Sequence, residues 1–293
     1  MRKSIALQQQ SGPVFDVTLD CEDGASAGNE TAHAALIAAL IAGEDNRHQR
    51  IGARIHPFDS PFFEQDVAII CGGSRPAYLM LPKAEGLADV IAALAVINQH
   101  APPSDTRAAL PVHVLIETHG ALHDAYEIAA LAQIESLSFG IMDFVSAHHG
   151  AIGDDAMHSP GQFAHPLVAR AKLAIAAACH AHGKVPSHNV TTDIGDASAA
   201  GADAHRAATE FGYTRMWSIH PGQIAPIVQA MIPAGDAIDD ALQILEKAQS
   251  VAWGPIQYKG RLHDRASYRY YWMILQRAKS SGATLPADST RFI

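Results

Sequence analysis

The residue that first indicates chemistry is Glu117, which ends the apolar run in PVHVLIETHG, residues 111–120. A continuous aliphatic run bounded by Pro and Gly is typical of a strand buried on both faces. A carboxylate there is costly unless it is ion-paired, hydrogen-bonded or bound to a metal. Glu117 therefore needs a compensating partner, and the ends of the other strands are the place to look for it.

Charged side chains follow most of the other predicted strands in the same way. They are Asp20, Glu22 and Asp23 in LDCEDG, Arg54 in ARIHP, Lys83 in LMLPK, Asp143 in SFGIMDF and His220 in WSIHP. In α/β barrels the carboxyl ends of the strands face the active site, so these groups are expected on one rim. Glu117 and Asp143 end adjacent strands, and two carboxylates with room for water suit Mg²⁺. An ion pair of Glu117 with Arg54 or Lys83 is the alternative, and spacing alone does not separate the two.

The elements that must position these residues alternate between short β-rich and longer Ala-rich segments. The predicted strands are residues 14–20, 51–56, 77–81, 112–117, 136–143, 185–191 and 214–220. Repeated βα units predict parallel strands with helical crossovers. We therefore predict an α/β fold, a TIM (β/α)8 barrel with a shortened first unit in which residues 3–8 form a short strand. A doubly wound open sheet is the alternative, although no Gly-rich phosphate loop follows the first strand.

The last part of the chain departs from the βα pattern. DDALQILEKAQ is predicted to be helical, SVAWGPIQYKGRLHD is Gly-rich and irregular, and SYRYYWMILQRAK is a helix with aromatic side chains on one face. We predict a TIM-barrel catalytic domain over residues 1–235. A C-terminal helical lid extension over residues 236–293 is expected to pack on the barrel or on a neighbouring subunit.

The composition excludes several classes of protein. The 293 residues are 48% hydrophobic and 17% charged, which is typical of a globular protein with a large core. The net charge of -9 argues against a nucleic acid or an anionic membrane as partner. No apolar run reaches the ~18 residues of a membrane helix, and no signal peptide is evident. With only 3 Cys and no paired spacing, a reducing, cytoplasmic location is expected.

Other catalytic motifs are weak or missing. The chain has 17 His, including CHAH at 179–182 and the pair His148–His149, but neither HExxH nor paired CxxC occurs. The CHAH segment ends a predicted helix, where His complements the helix dipole, so a structural role is favoured for it. No GxSxG nucleophile elbow is present either.

Taken in order, LDCEDG, ARIHP, LPK, IET, FGIMD, TTDI and SIHPGQI resemble the motifs of the HpcH/HpaI aldolase and citrate lyase β-subunit-like superfamily. The segment QYKGRLHD resembles the C-terminal lid of that family, and the likeness extends from about residue 14 to residue 278. It implies a TIM barrel that cleaves or forms a carbon–carbon bond with Mg²⁺. It also implies a homotrimer or a hexamer.

The resemblance implies roles for the matching positions. Glu117 and Asp143 resemble the metal carboxylates, and Arg54 resembles the residue that binds the oxygen or carboxylate of a 2-keto acid. Mg²⁺ would stabilise the negative charge that develops on the enolate, with Arg54 as a second positive group at the same oxygen.

Four further positions complete the expected site. Glu22 and Asp23 resemble the acidic pair that lines the water shell of the metal, and Lys83 is expected to bind substrate with Glu22 and Arg54. Asp264, in GRLHD, is similar to a lid acid that some acyl-CoA lyases of the family present to a neighbouring subunit. Asp264, or a metal-bound water near Asp23, would take the hydroxyl proton.

The expected function is a Mg²⁺-dependent carbon–carbon lyase that performs retro-aldol or retro-Claisen cleavage of a 2-keto-acid adduct. The adduct would be an acyl-CoA such as malyl-, citramalyl- or citryl-CoA. Three positions depart from the family, because Gly120 replaces an Arg, Met216 replaces a Lys and His188 replaces an Asp. The loss of basic groups weakens the case for CoA.

Three alternatives remain open at this point. The departures leave room for a class II aldolase that acts on free hydroxy-keto acids. A non-catalytic metabolite-binding relative is the second alternative, although such a protein would be free to lose Glu117, Asp143 or Arg54, and all three are present. A phosphate-handling barrel is the third, but it would need more basic or Gly-rich loops than SIHPGQ supplies.

Overall fold

The computed structural model describes residues 1–73, 75–104 and 108–293. These residues divide into two compact units, Met1–Ile227 and Val228–Ile293. The first unit contains a parallel sheet with its crossover helices, and the second contains helices and one hairpin. Within the described ranges, no helix is both long enough and apolar enough to cross a membrane.

One parallel sheet organises the first unit. Its seven strands pair in chain order, each with the next. They are β1 (Val17–Asp20), β2 (Ile51–Arg54), β3 (Leu79–Leu81), β4 (Val112–Ile116), β5 (Ile134–Phe139), β6 (Val185–His188) and β7 (Arg215–Met216). With helices between the strands, this curled sheet has the TIM-barrel-like α/β fold that the sequence predicts.

Helices precede, connect and follow these strands. They are α1 (Arg2–Ser11), α2 (Glu30–Ala42), α3 (Phe63–Gly73), α4 (Leu87–His100), α5 (His119–His123), α6 (Ala125–Ala130), α7 (Ile141–Ser146), α8 (Gly161–Ala164), α9 (Pro166–His182), α10 (Ala197–Glu210) and α11 (Pro221–Met231). The strand predicted over residues 3–8 was wrong, because those residues lie in α1. Ile5 and Gln8, one helical turn apart, are its buried residues, which explains why a helix wins there.

Alternation along each strand separates the core from the site. Leu19 and Ala53 belong to the main hydrophobic core, which also includes Ile37 and Ile70 from the flanking helices. Asp20 and Arg54 follow Leu19 and Ala53 directly, so their side chains leave the opposite face of the sheet. The residues available for chemistry therefore lie on the inner face, at the carboxyl ends of the strands.

β5 ends earlier than predicted, and this changes the setting of Asp143. The fifth strand was expected over residues 136–143, but β5 ends at Phe139 and Gly140 is the N-cap of α7. Asp143 consequently lies in the first turn of a helix rather than on a strand. A carboxylate in that turn also complements the positive end of the helix dipole.

Side chains, and not backbone pairing, connect the last strand to the first. Among the described residues, β7 pairs with β6 and no backbone ladder joins it to β1. Asp16, just before β1, instead accepts hydrogen bonds from Arg215 Nη2 and from Arg50 Nε, both at 2.6 Å. This partly exposed ion-paired triad joins the two edges of the sheet at its amino-terminal side.

The second unit has a small core of its own. It contains α12 (Gly235–Ser250), a hairpin of β8 (Ile256–Tyr258) and β9 (Arg261–His263), α13 (Arg265–Ser280) and a 3-10 helix (Ala287–Phe292). Leu245 and Leu275 from the two long helices pack in one cluster with Tyr258 and Phe292. The packing of this extension on a barrel or on a neighbouring subunit stays a prediction.

Candidate active site at the carboxyl ends of the strands

Arg54, the last residue of β2, is held by two carboxylates. Its Nε and Nη2 donate to Asp20 Oδ1 and Oδ2 at 2.7 and 2.6 Å, a bidentate pair across β1 and β2. Nη1 lies 3.0 Å from Glu22 Oε2. Burial alone would raise the pKa of Asp20, but the hydrogen bonds and charge of Arg54 outweigh it and hold the pKa below its ordinary value. The hydrogen bonds to Asp20 use two of the five N–H donors of the guanidinium, so donors remain for a ligand.

Lys83 connects the remaining acidic residues. Its Nζ lies 2.5 Å from Glu22 Oε1, 2.9 Å from Asp23 Oδ2 and 3.9 Å from Asp143 Oδ1. Burial opposes the charge of this ammonium, yet the hydrogen bonds to Glu22 and Asp23 raise its pKa above the ordinary value. Lys83 also has a positive φ of 49°, which is uncommon for a residue with a side chain. This backbone conformation is consistent with a position fixed by its neighbours.

Glu117, directly after β4, is the buried carboxylate of the cluster. It is 2% exposed, and its Oε1 accepts the backbone N–H of Lys83 at 2.7 Å. Burial and the negative charge of Asp143 raise the pKa of Glu117 to about 8. The predicted ion pair with the Lys83 ammonium is therefore not the compensation found here, since Lys83 contributes a backbone hydrogen bond and its ammonium binds Glu22 and Asp23. Compensation of Glu117 by a metal ion stays a prediction.

Gly140 makes room for that carboxylate. A Cβ at this position would lie 2.3 Å from Glu117 Oε2 and 2.6 Å from Glu117 Cβ. Its backbone N–H donates to the carbonyl of Ile116 at 3.0 Å, so the turn that follows β5 lies directly against the end of β4. Sequence reasoning used Gly140 only as a letter of the FGIMD motif. The close approach of Glu117 is the physical reason for glycine there.

Six of the seven predicted site residues are thus connected by contacts and charges in the first unit. They are Arg54, Glu22, Asp23, Lys83, Glu117 and Asp143. The seventh, Asp264, lies in the second unit as the N-cap of α13, where its side chain accepts the N–H of Ala266 within a capping box. Its capping role is observed, whereas its role as a lid acid stays a prediction.

Two members of the site were not identified as such from the sequence. Asp20 was noted as one of several rim acids, but its bidentate hold on Arg54 was not predicted. Trp217, just after β7, has its ring centroid 5.6 Å from the Arg54 guanidinium carbon. The sequence feature that could have identified Trp217 is its position directly before SIHP, at the end of the last predicted strand.

The three departures from the family pattern have different structural settings. A Cβ at Gly120 would lie 1.9 Å from the backbone oxygen of Glu85, so this chain leaves no space for an Arg there without a shift of that loop. Met216 is buried within β7. His188 was expected where CoA-linked substrates reach, but it is fully buried and lies 2.6 Å from the Nζ of Lys172 on α9.

The donor set determines which metal these residues could hold. Among the described residues, no group of three or more His, Cys, Asp or Glu side chains is arranged around a common metal position. This disfavours a protein-enclosed site for a soft metal such as zinc. Glu117 and Asp143 offer two hard carboxylates, and Asp143 is half exposed, with access to water. One or two carboxylates with water and substrate oxygens are the usual protein ligands of Mg²⁺.

Comparison with known proteins identifies the relatives of this arrangement. The HpcH/HpaI aldolase/citrate lyase family model matches residues 8–221. The L-malyl-CoA/beta-methylmalyl-CoA lyase of Cereibacter sphaeroides is 29% identical over 288 residues, which cover 91% of this chain and 88% of that enzyme.

Two solved structures extend the comparison. A citrate lyase from Burkholderia xenovorans LB400 is 54% identical with a TM-score of 0.89, and the match covers 99% of this chain and 91% of that chain. The citrate lyase beta subunit of Mycobacterium tuberculosis, complexed with oxaloacetate and magnesium, is 27% identical with a TM-score of 0.62. That match covers 79% of this chain and 92% of the mycobacterial chain.

Proposed function

The chain belongs to the HpcH/HpaI aldolase/citrate lyase family, and from this premise we propose that it is a Mg²⁺-dependent carbon–carbon lyase that acts on a 2-keto-acid adduct. The observation that carries the proposal is the pairing of two centres on one rim. One is the buried Glu117 carboxylate, whose hydrogen bond comes from the backbone of Lys83 and whose pKa is raised by burial and by Asp143, and the other is the Arg54 guanidinium, which is fixed by Asp20 and keeps free donors. Such a rim suits a ligand that carries both a keto oxygen and a carboxylate.

The residues present fit Mg²⁺. Glu117 and Asp143 are close enough that the charge of Asp143 raises the pKa of Glu117, and Gly140 leaves the space that the Glu117 carboxylate occupies. A divalent cation between them would relieve this repulsion, and both residues would be its protein ligands. When bound, Mg²⁺ supplies positive charge for the oxygen on which negative charge develops during cleavage.

The protein's own groups bind and orient the keto acid. Arg54 keeps N–H donors that Asp20 does not use, and the bidentate pair with Asp20 fixes its plane, so a carboxylate or keto oxygen would meet a preorganised donor. Lys83 holds Glu22 and Asp23 in place on the other side of the cluster. This preorganisation reduces the reorganisation needed as charge develops.

A proton must also leave the hydroxyl group of the adduct during cleavage. Asp23 is more than half exposed, and hydrogen bonds from Lys83 keep its pKa below the ordinary value in spite of partial burial. It is therefore ionised and can accept a hydrogen bond from a water at neutral pH. Asp264 is the second candidate base, supported by its place in the GRLHD segment.

For the substrate we propose a CoA thioester, supported by the malyl-CoA lyase relative, which is covered over 88% of its length. The second candidate is a free hydroxy-keto acid. It is favoured by the absence of a basic side chain at Gly120, where the backbone of Glu85 leaves no space, and at the buried Met216.

A thermal-shift titration with Mg²⁺ and then with pyruvate, glyoxylate or oxaloacetate tests the proposal first. Ligands that bind only the native state raise the melting temperature by mass action. We expect keto acids to stabilise the protein only with Mg²⁺, and Glu117→Gln and Asp143→Asn to abolish this response. Glu127→Gln, an exposed carboxylate on α6, is the matched control.

A turnover assay then distinguishes between the two candidate substrates. We expect Mg²⁺-dependent release of a keto acid from malyl-CoA, citramalyl-CoA or citryl-CoA, measured with a carbonyl-trapping reagent. Release from the free hydroxy-keto acids alone would establish the second candidate. A protein that responds to neither Mg²⁺ nor any keto acid would refute the lyase proposal.

We further propose a cytoplasmic homotrimer or hexamer. The location is supported by three free cysteines, of which Cys21 and Cys179 are buried. Light scattering coupled to size-exclusion chromatography measures the assembly, and a monomer would contradict it.

A further inference from the structure

Trp217 has a defined place relative to Arg54. Its backbone N–H donates to the carbonyl of His188 at 3.0 Å, which continues the pairing of β6 and β7 by one step. It lies two positions after Arg215, whose side chain bonds Asp16 at the edge of the sheet. Residues two apart on a strand share a face, so Trp217 is on the same inner side, nearer the carboxyl end.

The indole contributes a contact that no other described side chain gives to Arg54. Asp20 binds the guanidinium along one N–H edge, and Glu22 Oε2 lies 3.0 Å from its Nη1. Trp217 approaches from the ring face, at 5.6 Å from the centroid to the guanidinium carbon, a distance typical of a cation–π contact. Trp217 is half-buried, so part of the residue is accessible to solvent.

We propose that Trp217 is a positioning residue for Arg54 and forms an apolar wall of the keto-acid site; this inference rests on the proposed lyase function. The indole restricts the guanidinium to the plane set by Asp20, so its free N–H donors keep one direction. The ring then lies beside the ligand that those donors bind.

The charges on the rim specify the class of keto acid. Lys83 is engaged by Glu22 and Asp23, the donors of Arg54 that Asp20 leaves free would bind the first carboxylate of the ligand, and the aromatic face of Trp217 repels negative charge. A second carboxylate on the ligand would therefore find only acidic and aromatic neighbours in this cluster. The structure favours a monocarboxylic 2-keto acid with a small substituent, such as pyruvate or glyoxylate, over oxaloacetate.

Intrinsic fluorescence provides a direct test, because the chain has 3 Trp and the other two, Trp253 and Trp272, lie in the second unit. In a Trp253→Phe/Trp272→Phe protein, Trp217 is the single reporter. We expect its emission to change on addition of pyruvate with Mg²⁺. Unchanged emission, while calorimetry detects pyruvate binding, would overturn the placement of Trp217 at the site.

Substitution of Trp217 tests the positioning role. Trp217→Leu keeps apolar bulk but removes the ring, and we expect pyruvate to bind roughly 3- to 30-fold more weakly, the range of a cation–π contact. Trp217→Phe keeps an aromatic face and should recover most of the affinity. The melting temperatures of both variants show whether any loss of pyruvate binding results from impaired folding. In turnover, the KM for keto acid in the condensation direction should rise more than kcat falls.

The outcomes separate this inference from the proposed function. Wild-type protein that binds no keto acid in the presence of Mg²⁺ refutes the lyase function and the inference together. Wild-type protein that binds pyruvate, with a folded Trp217→Leu variant that binds it equally well, overturns only the positioning role. Oxaloacetate binding as tight as pyruvate binding overturns the apolar wall.

Discussion

Replacement of Gly140 by Ala should impair the metal site through a single methyl group. Gly140 has φ −96° and ψ 82°, and since this φ is negative, Ala is not excluded by backbone conformation. The added Cβ would lie 2.3 Å from Glu117 Oε2, about 1.1 Å closer than the 3.4 Å at which ordinary contacts begin. Glu117 must move, because the three atoms nearest to the methyl group all belong to its side chain.

The size of the effect follows from this displacement. A shift of about 1 Å in a group that positions a reacting centre costs roughly 10²-fold in rate, or about 2.7 kcal/mol of transition-state stabilisation. Overpacking should also lower the free energy of unfolding by about 1–3 kcal/mol. The movement would lengthen the 2.7 Å hydrogen bond between Glu117 and the backbone of Lys83.

Two measurements check the Gly140→Ala prediction. Calorimetric titration should show weaker Mg²⁺ binding, and Mg²⁺-dependent turnover should fall about 10²-fold. Gly72→Ala is the matched control, because a Cβ there has no neighbour within 4 Å and Gly72 lies in α3. That control should keep full activity and gain up to about 1 kcal/mol of stability. Normal Mg²⁺ affinity and normal turnover in Gly140→Ala would refute the role assigned to Glu117.

Further predictions concern charge, pH and the lid. Lys83→Met leaves the buried Glu22 with one cation fewer, so the free energy of unfolding in urea should fall by about 1–2 kcal/mol, and no loss would contradict the bridging role. Burial and the nearby Lys172 hold the pKa of His188 well below 6.5, so below about pH 6.5 the unfolded chain gains a proton that the native state does not. As the pH is lowered below about 6.5, the free energy of unfolding should therefore fall by up to about 1.4 kcal/mol per pH unit. Urea unfolding of His188→Gln should show a weaker dependence of that free energy on pH. Asp264→Ser should keep the N-cap of α13 and lose turnover, whereas Asp264→Ala should also lose about 1 kcal/mol of stability; a fully active Ser variant would exclude the lid acid.

The sequence was sufficient for the fold class because local signals agreed along the chain. Buried strand β4 reads as an unbroken aliphatic run, and Glu117 follows it directly, so both the strand and the rim carboxylate were predictable. The prediction for residues 3–8 was wrong because this short segment carries no signal that distinguishes a strand from a helix. Burial of Ile5 and Gln8 on one face of α1 decides in favour of the helix.

The contacts between the site residues were harder to predict from the sequence than the identities of those residues. Arg54 and Lys83 were both candidates for compensating Glu117, and only the coordinates show that Lys83 does so through its backbone N–H. Asp143 was assigned to a strand because FGIMD continues the apolar run, whereas the strand ends where Gly140 turns the chain. The contact between Arg54 and Trp217 joins residues far apart in sequence, and no local pattern reports it.

The order of the strands has a consequence for how the protein is made. Each strand pairs with the next one in the chain, so a chain leaving the ribosome can add strands one by one to the edge just formed. The ion pair of Asp16 with Arg215 is different, because it joins residues 199 positions apart and must await synthesis of β7. Until then the β1 edge also lacks its side-chain contact with Arg215, and an unpaired strand edge can pair with other nascent chains. We therefore expect the newborn chain to be most prone to aggregate before β7 has been synthesised.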